Sequence, residues 1–467
     1  MNKNYDIAII GGGIGGLFAA YKLKKEKSKL KIAIFDKGPE LEDRKCFAVD
    51  GKPCVHCKTC AITSGIAGSG AFSDAKFNIG TAYGGTLADE LTEKVAMEYI
   101  ESVDTILEHF ADYIGYPTIY KSNEDLKLKC LQNNLQLLDM NVRHLGTDRN
   151  FLIMKKIISH LRDEGVSIFS KTKCRKIKKN GDGNFEVYLT QGIDNEIIIA
   201  KKVIVATGRG GADFVKQLCN DFKIQTEANS VDVGVRVEMK DSIWKEFSSK
   251  IYEPKILYKT KTFEDKCRMF CFNQGGIVSA ENNRGIITAN GHSFADYSKK
   301  TDNCNFAILS SIHFTDPFDQ PTEYAENISR MANMIGDGNV IVQRFGDLIR
   351  GRRTNEHRLA QNTVKPTLKA TAGDISLVLP HRILTNIIET IYALDKVAPG
   401  TANDDTLLYG CESKYYSLKP KHNENFEVCD GIYLIGDGSG ITRGLSQAGA
   451  MGLYVADKIV KGFLIVK

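Results

Sequence analysis

The chain has 467 residues, enough for two or three compact units with ample core. Hydrophobic residues make up 42% and charged residues 25%, which excludes a disordered or fibrous chain. The excess of 62 Lys+Arg over 57 Asp+Glu is too small to imply nucleic acid by itself.

Glycine (42) far outnumbers proline (10) and falls in clusters without a period, as in loops built around a ligand. No apolar run approaches the roughly 18 residues a bilayer span needs, and a strand pattern begins almost at once, so a cytoplasmic location is expected. Twelve cysteines in that compartment would be mostly reduced, which turns any local cluster toward metal or redox chemistry.

In chain order, Asp6-Ile7-Ala8-Ile9-Ile10 reads as a strand, Gly11 to Gly16 as a glycine turn, and Leu17 to Leu23 as a helix. Lys31 to Phe35 is a second strand ending at Asp36, which completes a β-α-β unit; the lysines from Lys22 to Lys31 read as a solvated face. Residues 38–85 carry cysteines and glycines with little periodicity and read as a long functional loop. Residues 86–138 are amphipathic and helical, and 150–165 form a further helix. Val166–Phe169, Lys173–Ile177, Phe185–Leu189 and Glu196–Ala200 are short strands, several in a meander, before the apolar strand Lys202–Gly208 that ends in glycine. Residues 215–400 suggest a mixed α+β domain with alternating runs such as Val233 to Glu238. The last segment returns to strand-then-glycine at Gly431 to Gly440, then a helix from Gln447 to Lys461.

Gly11-x-Gly13-x-x-Gly16 sits between a strand and a helix. There the unpaired N–H groups and positive dipole end of the helix favour a pyrophosphate, and side chains would block its approach. Asp36, 20 positions after Gly16, stands where a ribose hydroxyl needs an acceptor. Ala206-Thr207-Gly208 closes a strand, and Gly436-Asp437 follows a late one. This order resembles two-dinucleotide-binding-type FAD proteins, in which the late Gly-Asp pair holds the ribityl chain, rather than NAD dehydrogenases.

Further segments sharpen the resemblance: Cys54-Val55-His56-Cys57-Lys58-Thr59-Cys60, Ser64 to Asp74, Asp232 to Glu238, Gly291-His292-Ser293, Arg344 to Asp347 and Glu412-Ser413-Lys414. They are similar to the markers of a family of largely uncharacterised bacterial and archaeal FAD-dependent dehydrogenases, itself related to glutathione-reductase-type and geranylgeranyl-reductase-like flavoproteins. The chain departs from that pattern at Ala75-Lys76-Phe77 and at Phe272 to Gly276. The resemblance implies FAD held by Gly11, Gly13, Ile14, Gly15, Gly16, Asp36 and Lys37. It adds Ser64, Gly65, Gly70, Ala71, Phe72 and Ser73 around the pyrophosphate and the isoalloxazine edge, and Cys174 near adenine. Ala206, Thr207, Gly208, Gly436 and Asp437 follow, with Gly444, Gln447 and Ala448 opening the last helix toward the flavin N1/C2=O side.

Cys54, Cys57 and Cys60 leave three readings open: an iron–sulfur cluster or zinc site with Cys46, His56, Cys267 or Cys271 as a further ligand, redox thiols, or structural thiols. His292 and Glu412 are the acid/base candidates, with Glu238 and other histidines behind them. Arg344 to Arg358 is a dense basic run that suits a phosphate, a carboxylate or a solvated loop.

The expected fold is α/β: a discontinuous Rossmann-like FAD-binding domain from 1–85, 146–214 and 406–467, a helical insertion at 86–145, and an inserted α+β catalytic domain at 215–405. The expected function is an FAD-dependent oxidoreductase passing hydride between flavin N5 and a small organic substrate. No second GxGxxG is present, so a transient NAD(P)H or an electron-carrier protein would exchange electrons with it. Competing expectations are a flavin and iron–sulfur electron-transfer protein and, behind it, an RNA-modifying flavoprotein.

Overall fold

The computed structural model describes residues 3–45, 59–73, 75–139, 141–227, 229–283, 285–292, 298, 300–314, 318, 320–414 and 417–465. The chain divides into two compact units: Met1–Ile119 with Asn141–Glu227 and Ser417–Lys467, and Tyr120–Met140 with Ala228–Tyr416.

In the first unit, β1 (Asn4–Ile10), α1 (Ile14–Glu26) and β2 (Ile32–Phe35) form the expected β-α-β unit, its strands parallel with Ile7 opposite Ile32. The main path of its eight-stranded sheet runs Glu427–Cys429, Ile432–Leu434, Asp194–Val205, β1, β2, Ser167–Phe169, parallel after the first pair, and Phe185–Gln191 and Thr172–Lys179 add antiparallel pairs beside Asp194–Val205. Ile7 and Ile9 face α1 and the C-terminal helix Leu445–Ile465, whereas Ala8 and Ile10 face a layer holding Val215 and Leu218. Burial on both faces is why β1 reads as a continuous apolar run without alternation.

The two runs expected as separate strands at 196–200 and 202–208 are one strand, Asp194–Val205, which ends before Ala206. Its first half pairs antiparallel with Phe185–Gln191 and its second half parallel with β1. Lys201 and Lys202 interrupt the apolar pattern but carry no turn residue, so the backbone runs straight through.

The second unit is built on an eight-stranded sheet in the order Thr371–Ala372, Ile341–Arg344, Leu407–Lys414, Val231–Lys240, Asn303–Ile312, Lys266–Asn273, Ile256–Lys259, Leu135–Leu137. From the central strand, Val231, Val233, Val235, Val237 and Met239 join Ile328 and Ile387, from the helices Pro321–Ile335 and His381–Asp395, in one core. The alternate residues Asp232, Arg236 and Glu238 are polar, yet buried as well.

Three expected boundaries are corrected. The stretch 86–145 is not one insertion: helix Glu93–Ala111 buries Ile100, Val103 and Leu107 in the first unit, while Leu126, Leu135 and Leu137 enter the core of the second. Residues 215–227 stay with the first unit, because helix Ala212–Phe222 packs Val215 and Leu218 beneath its sheet. Residues 406–416 belong to the second unit, where Leu407–Lys414 is an interior strand between Ile341–Arg344 and Val231–Lys240. Amphipathic patterning marks which face of an element is buried but not against which sheet.

Candidate functional site

In the first unit, the ends of three neighbouring parallel strands lie together: the Ala206 N–H donates to Ile10 O (2.7 Å) and the Ile435 N–H to Val205 O (2.9 Å). Ligands of open α/β sheets bind beyond such carboxyl ends. The glycines of the first turn divide the work. A Cβ on Gly11, whose φ is +112°, would lie 2.3 Å from Ala206 O, and one on Gly16 would lie 2.2 Å from Gly11 O. Those two permit the tight turn and the seating of helix on strand. A Cβ on Gly13 would meet nothing closer than 3.7 Å, so its missing side chain leaves an open approach to the start of α1. Gly13 is also the N-cap of α1 and offers no side-chain cap, which leaves first-turn N–H groups from Ile14 onward available to an anion. Gly15 turns toward the C-terminal helix, where its Cβ would sit 3.1 Å from Ala448 O.

Asp36, buried at the end of β2, accepts the N–H of Gly12 on one carboxylate oxygen and of Gly38 on the other, both at 2.8 Å. Each oxygen keeps a second lone pair. Lys37 donates to Gly210 O (2.9 Å), tying this turn to the one after Gly208.

The segment after Cys60 crosses the glycine turn. The Ala67 N–H donates to Gly12 O (2.8 Å), and a Cβ on Gly68 would lie 2.9 Å from Gly13 Cα. Arg44, which the sequence did not single out, holds this segment in shape: its guanidinium donates to Ala61 O, Ile62 O, Ile66 O and Gly68 O at 2.7–2.8 Å and lies 4.6 Å over the Phe72 ring. Burial pushes Arg44 down to about 10, against the attraction of Asp36 and Cys60. Ser64 donates its N–H to Cys60 O, and Gly65 backs onto Gly38. Gly70 lies against Leu445 and, through its carbonyl, accepts from Asn150 Nδ2 (3.0 Å) and Ser73 Oγ (2.8 Å), next to the buried Ala71.

Asp74 and the cysteines Cys46, Cys54 and Cys57 lie outside the described residues, so the cysteine cluster is represented by Cys60 alone. Its exposed thiol would be raised by partial burial, but N–H groups of Thr63 and Ile62, the Thr63 hydroxyl and the Arg44 charge outweigh this and lower it. Among the described residues no group of His, Cys, Asp and Glu is arranged to hold a metal ion.

On the other side of the turn, Asp437 accepts the Thr442 hydroxyl (2.9 Å) and lies 3.6 Å from Arg209 Nε. Burial pushes its carboxyl above the ordinary value, while Arg209, Thr442 and Arg443 pull the other way. Gly208 (φ +59°) and Gly436 (φ +72°) have nothing within 4 Å of where a Cβ would sit. The hydroxyls of Thr207 and Ser446 are buried and make no hydrogen bond. Gly444 accepts the N–H of Ala448 as the last helix begins. Gln447 uses its amide within the protein, donating to Tyr83 O (3.0 Å) and accepting the Leu87 N–H (3.3 Å). Cys174 is buried in strand Thr172–Lys179, its thiol pushed up to about 12 by burial.

The second unit separates the remaining candidates. His292 ends strand Ile286–His292 with its side chain exposed, and Ser293 lies outside the described residues. Glu412 is wholly buried. Cys267 and Cys271 do not share a pocket: the Cys267 thiol faces Asn386 O of helix His381–Asp395, while a bulge between Phe270 and Asn273 turns Cys271 toward Lys414. Most of the basic run is paired internally. Arg344 pairs with Asp405 and Asp347, Arg350 with Asp404, and Arg352 and Arg358 with Asp347, while Arg353 donates to Ala372 O. Asp347 lies within the run, but Asp404 and Asp405 are distant along the chain and no local pattern announces them.

Residues 230–415 match the family model described as FAD-dependent protein, C-terminal domain-like, and so cover nearly all of the longer segment of the second unit. Residues 9–42 match the model described as NAD(P)-binding Rossmann-like domain. An uncharacterized protein of Clostridium beijerinckii is 23% identical over 98% of this chain and 81% of its own length. Among solved structures, a flavoprotein/dehydrogenase from Cytophaga hutchinsonii is 12% identical, covering 98% of this chain and 79% of that one, with a TM-score of 0.40. L-proline dehydrogenase from P. horikoshii is 13% identical, covering 99% and 95%, with a TM-score of 0.40. A geranylgeranyl bacteriochlorophyll reductase-like protein from Thermoplasma acidophilum is 12% identical, covering 99% and 80%, with a TM-score of 0.38. By its two family matches the chain resembles a Rossmann-like nucleotide-binding domain at the start of the first unit and the C-terminal domain of FAD-dependent proteins over most of the second.

Proposed function

We propose that the protein is an FAD-dependent oxidoreductase acting on a small organic substrate, with the cofactor held by the first unit. The observation that carries this is the set of open positions around one sheet end: Gly208 and Gly436 without a neighbour where a Cβ would stand and Gly13 with none closer than 3.7 Å, beside the unpaired Thr207 and Ser446 hydroxyls. A buried hydroxyl without a partner is unfavourable by itself and asks for a bound group.

The residues present fit FAD. The first turn of α1 would take the pyrophosphate, Asp36 has lone pairs left for ribose hydroxyls, and Asp437 stands ready for the ribityl chain. Arg44, by fixing residues 61–68 across Gly12 and Gly13, would keep that approach narrow and dry. The first turn of helix Leu445–Ile465 adds a positive dipole end, which favours negative charge on a reduced flavin ring. When bound, FAD supplies the hydride-accepting and hydride-donating chemistry, and the protein orients the reactants and excludes water.

The test is the absorption spectrum of protein purified without oxygen, recorded before and after dithionite, with iron and zinc counted on the same sample. Flavin bands that bleach on reduction are the expected result. Protein that carries no flavin and takes up none on addition of FAD would overturn the reading. Iron in stoichiometric amount would move the cysteine loop at 54–60 onto an electron path and favour an electron-transfer protein with a carrier partner.

A further inference from the structure

The turn at 208–211, which follows the strand Asp194–Val205, is anchored at two points in the first unit. Lys37, just past β2, donates to Gly210 O (2.9 Å), and a Cβ on Gly438 would lie 3.1 Å from Gly208 O, so the turn that carries Asp437 backs directly onto this one. The first glycine turn is as close: a Cβ on Gly11 would stand 2.3 Å from Ala206 O and 3.1 Å from Thr207 N.

Between these anchors Arg209 carries a guanidinium that the fold leaves unspent. Its side chain is 67% exposed, and its ionic neighbour is Asp437, with Nε 3.6 Å from Oδ2. That separation is too long for a hydrogen bond, and among the described residues no other group takes the Arg209 side-chain N–H groups. The nearby cations differ: Lys37 donates to Gly210 O, and Arg44 donates to four carbonyls. A mostly exposed ion pair without a hydrogen bond adds little to stability, so holding the fold together does not explain Arg209. The ground beside it is open, since Gly208 and Gly436 have nothing within 4 Å of where a Cβ would stand.

On the FAD reading above, we propose that Arg209 binds the flavin-side phosphate of the pyrophosphate and so selects the dinucleotide over a flavin without phosphate. Covalent connection fixes the assignment. The ribityl chain of FAD ends on that phosphate, so a cation 3.6 Å from the carboxylate that takes ribityl hydroxyls stands one link along the same molecule. The first turn of α1 then serves the adenosine-side phosphate, and the two negative charges meet separate positive groups. A planar guanidinium suits the place, because one edge can face Asp437 while another offers paired N–H groups to phosphate oxygens.

The test uses the full-length protein freed of flavin, titrated with FAD and with ADP as its competitor, and a melting curve is taken on each sample. ADP carries a pyrophosphate but no ribityl chain, so it separates Arg209 from Asp437. R209Q should weaken FAD and ADP alike, by about tenfold or more, with the melting temperature of the flavin-free protein unchanged. Raising the salt concentration should narrow the gap between wild type and R209Q, and R209K should recover part of the loss. D437N should weaken FAD but leave ADP no weaker, since it removes a negative charge from beside the phosphate. R209Q that binds both probes as the wild type does would overturn the proposal. So would R209Q that weakens FAD but not ADP, which would make Arg209 a partner of Asp437 only, and so would ADP that fails to displace FAD from the wild type. Wild type that binds no FAD would refute the cofactor reading itself, whereas FAD bound with ADP indifferent to R209Q would refute the role of Arg209 alone.

Discussion

Replacing Arg44 by methionine keeps an unbranched side chain of similar reach while removing all four carbonyl contacts, those to Ala61, Ile62, Ile66 and Gly68. Hydrogen bonds from a charged donor contribute about 1.5–3 kcal/mol each, so four set an upper range near 6–12 kcal/mol. Desolvation offsets a large part of this, since burial brings the guanidinium down to about 10, and water can reach some carbonyls once the side chain is gone. The contact with the Phe72 ring adds about 1 kcal/mol. We expect a net loss of about 3 kcal/mol, confined to the segment, which corresponds to roughly a hundredfold easier local opening. Hydrogen exchange of the amides of Ser64, Ile66, Ala67 and Gly68, which are bonded to Cys60 O, Pro39 O, Gly12 O and Gly65 O, reads this directly. Lys at 44 should recover less than half, because one ammonium cannot span four carbonyls. If R44M leaves protection of these amides unchanged and FAD retention intact, Arg44 does not shape the segment and the reasoning fails.

G13A and G16A should part company. A Cβ at Gly13 has room and a permitted backbone (φ −75°), so G13A should fold with unchanged thermal stability yet lose FAD, whereas G16A, 2.2 Å from Gly11 O, should lose about 1–3 kcal/mol or more and fail on both counts in a melt with flavin readout. Because burial raises Asp437 in the folded state above its unfolded value, the fold holds that proton more tightly. The associated stability is complete below the unfolded value and is lost as pH rises through the folded one. D437N should therefore raise the melting temperature of flavin-free protein at neutral pH, with the gain vanishing in acid, while weakening FAD binding throughout; a destabilised D437N at pH 7 contradicts this. Y409F removes a donor from the buried Glu238 carboxylate and should lower stability by about 2 kcal/mol in urea unfolding; a change under about 0.5 kcal/mol would mean that Thr367 and Asn303 suffice. Of the described cysteines, Cys60, exposed and lowered, should react first with iodoacetamide near neutral pH, well ahead of the buried and raised Cys174 and Cys304, as peptide mass mapping over time would show.

Much of the first unit is written locally. A strand, a glycine turn, a helix and a second strand ending in an acid lie within residues 4–36, so the order and type of these elements can be read from one short stretch. The late Gly436-Asp437 and the Ala206-Thr207-Gly208 strand end are local in the same sense, and parallel pairing brings them beside the first turn. What no local pattern carries is long-range partnership. Arg44 looks like one basic residue among several until folding presents it with four carbonyls from 61–68. The run from Arg344 to Arg358 looks like an open anion site until folding brings Asp404 and Asp405 to Arg350 and Arg344.

The second unit shows the limit most clearly. Alternation along Val231 to Lys240 determined that one face would be apolar and one polar, and that much holds. Whether the polar face meets water depends on a hairpin that begins some forty residues later and closes over it through Gly291. That closure sets Gly291 on the buried Arg236, and desolvation depends on everything that surrounds a group in space and not on its neighbours along the chain.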